Sequence, residues 1–146
     1  MEKPEFNWES IEIGKVVGER EITVSQEMVA AHLEGVDAER DWYEKNSPFG
    51  GPIAPPMIFI NDVLQIIDEN FQRFGTIHAR AGYQFHRPAR VGEQVHQRVI
   101  FKERYIKRGK GWVVWEMEVT GEGGDPVATY LHTSVVSLTR AHGGEK

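Results

Sequence analysis

Between Met57 and Phe71 the apolar residues recur at helical spacing. Ile60, Val63, Leu64 and Ile67 follow one another at three and four residues, and Ile58, Ile66 and Phe71 widen the stripe. A stripe this wide has to be covered by a sheet or by another helix. The segment that feeds it, Ser47-Pro-Phe-Gly-Gly-Pro-Ile-Ala-Pro-Pro56, can be neither helix nor central strand. Proline has no backbone donor and a fixed φ, and glycine opens conformations closed to other residues. Pro56 suits the first turn of the helix, where its missing N–H costs nothing, and Gly75 is the expected stop. The pattern predicts an apolar helix launched from a stiff loop, and the loop is where function is expected to sit.

Most of the remaining chain reads as strand. Ile11 to Val24 is strand-like, interrupted by Gly14 and Gly18. Ser25 is placed to cap a short helix through Met28, Val29 and Leu33 that stops near Gly35, with Glu27 in its first turn. Val36 to Ser47 is polar and irregular, with Trp42 and Tyr43 set among charges. Beyond the central helix, Ile77, Ala79, Ala81, Tyr83 and Phe85 share one face of a strand, and His78, Arg80, Gln84 and His86 share the other. Three further strands follow, Gln94 to Ile106, Trp112 to Val119 and Val127 to Leu138, separated by turns at Gly109–Gly111 and Gly121–Pro126. Trp112 and Trp115 fall on opposite faces, so at most one belongs to the core. One helix followed by long antiparallel strands predicts an α+β fold, with a long central helix wrapped by a curved antiparallel sheet. This is the hot-dog arrangement. A single domain over residues 1–146 is expected, with its core at about 11–139 and both termini, Met1 to Ser10 and Ala141 to Lys146, peripheral.

Composition removes several function classes. The net charge is −5 and the isoelectric point about 5.7, which argues against a nucleic-acid face. The one basic cluster, Lys102 to Lys110, reads as a solvated hairpin tip. The chain has no cysteine, so disulfides, thiolate metal sites and thiol catalysis are excluded. His78, His86, His96 and His132 show neither the helical spacing nor the companion carboxylates of a metal site, and none is expected. The start, Met-Glu-Lys-Pro-Glu, lacks an apolar run behind a basic one, and no stretch approaches the ~18 apolar residues of a membrane span. A cytoplasmic protein is the expectation.

Two segments together carry a family resemblance. The loop Ser47–Pro56 resembles the segment before the central helix of the MaoC-like hydratases and dehydratases, most closely their N-terminal-type half. Phe85-His-Arg-Pro-Ala-Arg-Val-Gly-Glu93 is similar to that family's recurring strand turn, and Asp125-Pro-Val-Ala128 to its late hairpin. The resemblance spans Ile22 to Leu138. It implies reversible hydration of a 2-enoyl thioester, a hydro-lyase reaction. Coenzyme A or an acyl carrier would enter as part of the substrate, with no other cofactor. In catalytic members an Asp and a His five residues later position water and move its proton, and backbone N–H groups at the helix start polarise the thioester carbonyl. Here Asp37 fits the Asp position, Trp42 stands five residues on and Tyr43 six. Tyr43 matches the N-terminal-type half, in which Tyr replaces the His and the complete pair comes from a second hot-dog half or subunit. The His-Gly that precedes the helix in catalytic halves is replaced by Pro55-Pro56.

These readings name candidates and leave alternatives open. Asp37 is a catalytic acid/base or a plain loop carboxylate. Tyr43 is a phenol facing ligand or a packed ring. Gly50 and Gly51 allow a thioester close approach or simply make a turn; Ile53, Ala54 and Tyr83 would line the acyl site. Arg87 and Arg90 meet coenzyme A phosphates or belong to a solvated turn, and His78 and His86 face a dimer partner, a ligand or water. The leading expectation is a hydratase/dehydratase subunit acting on 2-enoyl or 3-hydroxyacyl thioesters as a homodimer or a heteromer with another hot-dog subunit. The alternative is a non-catalytic acyl-binding partner that completes the site of a His-bearing subunit. A small scaffold domain is a third reading. A thioesterase is a fourth, with Asp62, Asp68 and Glu69 as its acidic candidates on the helix.

Overall fold

The computed structural model describes residues 2–73 and 75–136. Five antiparallel strands form one sheet: β1 (Val16–Thr23), β2 (Thr76–Phe85), β3 (Gln94–Lys107), β4 (Lys110–Thr120) and β5 (Pro126–Val136), in the order β1-β3-β4-β5-β2. Helix α1 (Gln26–Gly35) starts at Ser25, whose Oγ accepts from the Met28 N–H at 3.1 Å. The sequence stretch read as irregular contains a five-residue helix, α2 (Arg40–Glu44), which carries Trp42 and Tyr43.

The apolar stripe does not form one continuous helix. Pro56–Phe59 is a 3-10 turn closed by Ile58 N–H to the Pro55 carbonyl, and the α-helix proper, α3, runs only from Asp62 to Asn70. Between them Asn61 has helical angles but makes no side-chain cap. The stripe still faces one way. Val63, Ile66 and Ile67 are buried on the concave face of the sheet, which wraps α3. Register places Gly18, Val99, Met117, Tyr130 and Tyr83 in one row across all five strands. At Gly18 the side chains of α3 come close to the β1 backbone. A Cβ there would lie 2.6 Å from Asn70 Nδ2 and 2.9 Å from Ile66 Cγ2. Gly18→Ala is therefore expected to destabilise the fold by about 1–2 kcal/mol through overpacking, read as a lower urea midpoint with unchanged slope.

Three expectations need correction. Of the start read as peripheral, Met1 to Ser10, the described residues are not all so. Phe6 and Trp8 are buried, Phe6 packs on Phe71, Phe101 and Trp115, and Trp8 Nε1 donates to the Trp112 carbonyl at 2.9 Å. The strand alternation in β2 also breaks. A bulge between His78 and Arg80 leaves Ala79 as an extra residue, which turns the rest of the strand over by one. His78 thus shares a face with Ala81 and Tyr83 and stacks on His132 at 3.9 Å. The β3–β4 turn sits at Arg108 and Gly109, both at positive φ, one step earlier than read. Trp115 is core and Trp112 half-buried, as their opposite faces predict. Ser137 onward, including the peripheral tail at Ala141 to Lys146, lies outside the described residues.

Candidate functional site

The two segments that carry the family resemblance lie side by side. Ile53 forms an antiparallel bridge with Arg90. Ala54 N–H donates to the Ala89 carbonyl at 2.8 Å, Val91 N–H to the Pro52 carbonyl at 3.1 Å, and Arg90 Nη1 to the Phe49 carbonyl at 2.7 Å. Ile53 N–H donates in turn to the Tyr43 carbonyl at 3.1 Å, which ties α2 to the loop. The loop is thus held by one isolated β-bridge and its flanking hydrogen bonds between α2 and the β2–β3 turn, and stiffened by its prolines.

Together these segments enclose a cavity of about 490 Å³. Trp42 and Tyr43 from α2, Phe49 and Ile53 to Pro56 from the loop, and Phe59 form one side. Phe85 to Arg90 and the β5 residues Val127, Ala128 and Tyr130 form the other. The walls are aromatic and aliphatic, and no Asp or Glu lines them among the described residues. This is the form of a site for an apolar ligand, with few polar groups to orient it.

Those polar groups are mostly committed. Arg87 forms a clamp beneath the cavity: Nε donates to Asp125 Oδ2 at 2.6 Å, Nη1 to the Pro88 carbonyl at 3.0 Å and to Glu93 Oε1 at 2.9 Å, and Nη2 to Glu93 Oε2 at 2.6 Å. The two carboxylates hold the guanidinium above its usual pKa, and Arg87 in turn holds Glu93 and Asp125 below theirs. Gly121 makes room for the clamp, since a Cβ there would stand 2.2 Å from Arg87 Nη2. Tyr130, 1% exposed, donates its hydroxyl to the Pro56 carbonyl at 2.5 Å, and burial pushes its phenol well above the ordinary value. Ile53 and Ala54 have spent their N–H groups on Tyr43 and Ala89, and Pro55 and Pro56 have none. Residues 53–56 therefore offer no amide to a thioester carbonyl.

Of the sequence candidates, the structure brings Tyr43, Ile53, Ala54 and Arg87 together on the cavity wall. Arg87 is there as a clamp held by two carboxylates, so it is not a free cation for phosphate. Asp37 is elsewhere. It follows α1 as an exposed residue at a φ of 53°, and it does not line the cavity. Gly50 is an exposed turn glycine at a φ of 81°, and Gly51 lies beside it; neither lines the cavity. Tyr83 lines a separate, smaller cleft of about 110 Å³. The acidic residues of the helix are also engaged away from the cavity. Asp62 accepts from buried Gln97 Nε2 at 2.6 Å and pairs with Arg20 at 3.2 Å, yet burial keeps its pKa raised. Asp68 pairs with Arg73 and Glu69 with Arg20, so each of the three acidic residues of α3 has a partner.

His86, read from the sequence as facing a dimer partner, a ligand or water, is on the cavity wall, and so is Tyr130, which the sequence did not single out. His86 follows β2 on the cavity wall, with its backbone N–H bonded to the Val127 carbonyl at 2.9 Å. Its place within the Phe85–Glu93 motif was the available signal. Tyr130 had none, because it is one of several residues alternating along a strand of mixed polarity. Among the described residues no group of three His, Asp or Glu side chains is arranged to hold a metal, and no helix is long and apolar enough to cross a membrane.

No family model and no curated relative matches the sequence. Solved structures do match it. A monoamine oxidase regulatory protein from Archaeoglobus superposes with a TM-score of 0.79 at 20% identity, over 92% of this chain and 95% of that one. An (R)-hydratase from A. caviae involved in PHA biosynthesis gives 0.72 at 17%, over 88% and 98%. The HadBC (3R)-hydroxyacyl-ACP dehydratase complex from Mycobacterium tuberculosis gives 0.68 at 16%, over 80% and 90%. At these identities the likeness is one of architecture, and the architecture of this chain is the hot-dog fold of the MaoC-like dehydratases and (R)-hydratases.

Proposed function

We propose that this chain is the acyl-holding subunit of a MaoC-like hydratase or dehydratase, and that a second hot-dog subunit supplies its acid/base pair. The observation that carries this reading is the makeup of the cavity. It is large and apolar and is built from the two motif segments, but it has no lining carboxylate among the described residues and no free amide over 53–56. Such a site suits the acyl chain of a 2-enoyl or 3-hydroxyacyl thioester better than it suits proton transfer. The similar dehydratase structure that is a complex of two named subunits supports the division of labour. The sheet supports it too, because β2 is an edge strand whose Ile77, Tyr83 and Phe85 are exposed.

Purified alone, the chain is expected to bind medium-chain acyl-CoA in calorimetry and to leave 2-enoyl-CoA unhydrated. Turnover should appear on adding a hot-dog subunit that carries the Asp/His pair. Asp37→Asn should change neither binding nor that restored turnover, because Asp37 lies outside the cavity. One observation favours a second reading, in which the chain is active by itself. His86 lines the cavity, and its ring makes no hydrogen bond among the described residues. Imidazole is a side chain that serves as a general acid or base. Hydration by the chain alone, lost in His86→Ala, would replace the first reading with this one.

A further inference from the structure

The 490 Å³ cavity and the 110 Å³ cleft are neighbours that share a lining residue. Along the helical side, the first is lined as far as Phe59 and the second takes over at Ile60. Along β5, the first is lined up to Tyr130 and the second from Tyr130 to His132. Tyr130 is the one residue common to both walls. Its ring is fixed across the groove by the hydroxyl's bond to the Pro56 carbonyl, and Tyr83 and Phe85 pack edge-on against it at 5.7 and 6.0 Å. Beyond it the cleft offers further apolar surface from Ile60, Val63, Leu64 and Leu131.

We propose that Tyr130 is the partition that sets acyl chain length: a chain entering the larger cavity stops against its ring, and the cleft behind it is unused space. This rests on the reading of the cavity as an acyl site. The physical argument concerns what a longer chain would have to break. Moving the ring aside breaks the bond from the buried Tyr130 hydroxyl to the Pro56 carbonyl, and a buried hydroxyl that loses its partner is costly. A chain that reached past the ring would gain the apolar surface of the cleft, so a smaller residue at 130 converts that surface into affinity.

The test is a chain-length series of saturated acyl-CoAs, butanoyl to hexadecanoyl, titrated calorimetrically into the full chain. Wild-type affinity is expected to tighten about fourfold per added methylene up to a cut-off and then to level. In Tyr130→Leu the tightening should continue for two or more further carbons. Adding Leu64→Trp, which fills the cleft alone, should bring the cut-off back. A folded Y130L with the wild-type cut-off overturns the proposal. Should Y130L fail to fold, L64W in the wild-type background decides. The cut-off is expected to stay where it is, and a shortened one shows that the chain already passes Tyr130. A wild-type protein that binds no acyl-CoA of any length would instead remove the acyl-thioester reading itself.

Discussion

Arg87→Ala is expected to destabilise the fold by about 2–3 kcal/mol and to weaken acyl binding at the same time. The stability loss follows from what the guanidinium leaves behind. Glu93, with only 13% of its side chain exposed, has both oxygens bonded to Arg87 and one also accepting the Arg90 N–H at 3.0 Å. Without Arg87 it is a half-buried carboxylate with one donor. The binding loss follows from where the clamp sits. Arg87 joins the β2–β3 turn to the hairpin at Asp125, and the β2–β3 turn carries Ala89 and Arg90, on which the Gly/Pro loop is hung. Lysine should rescue little, since a point ammonium cannot bond Glu93 twice and reach Asp125 as well. The acid limb supplies a check that a packing defect would not reproduce. Glu93 and Asp125 both have pKa values lowered in the fold by Arg87, below ordinary values of 4.5 and 3.8. They stabilise the fold above those values, and the contribution is lost as pH falls through the lowered ones. Urea titrations of R87A should therefore show a shallower fall in stability below about pH 4.5 than the wild type does. An R87A protein with wild-type stability at pH 7 would mean that the clamp is only a surface pairing.

The sequence could be read wherever a feature is local. Ser25 announces its helix because the cap and the N–H it bonds are three residues apart, and β3 to β5 announce themselves by alternation. The two motif segments were legible for the same reason, since proline and glycine act on their own backbone. What escaped depends on partners far along the chain. Arg87 meets Asp125 at a separation of 38 residues and Tyr130 meets Pro56 at 74, so neither the clamp nor the partition leaves a trace in spacing. The bulge at Ala79 is a different kind of miss. Nothing in Ile77–Phe85 marks it, yet one extra residue reverses the facing of His78 and places it on His132. The N-terminal segment shows no periodicity that marks its partners, yet Phe6 and Trp8 belong to the core. Asp37 shows the limit of carrying a motif over by position: the residue type matches, but α1 ends just before it and leaves it exposed outside the cavity.

The second large effect is a loss of stability between pH 6.5 and pH 4 that traces to the burial of His132. His132 is 6% exposed, its Nε2 has no hydrogen-bond partner among the described residues, and it lies opposite Trp115 on the core side of β5. Burial, then the stacked His78, then Arg73 push its pKa down from 6.5 to about 4. The sign follows directly. Above pH 6.5 neither the folded nor the unfolded chain protonates this ring, and stability is flat. Between 6.5 and 4 the unfolded chain takes up a proton that the folded one refuses, so stability falls as pH falls, by at most about 1.4 kcal/mol per pH unit. Below 4 both forms are protonated and the dependence ends. The whole window amounts to about 3 kcal/mol. His132→Leu keeps apolar bulk, removes the unpartnered nitrogen and removes the titration, so its urea midpoint should stay level across the window while the wild type's falls. The window also lies above the one in which Glu93 and Asp125 act, so R87A and H132L should flatten separate parts of one acid limb. A wild-type decline between pH 6.5 and 4.5 that survives in H132L would assign the proton to another group and leave His132 a merely buried ring.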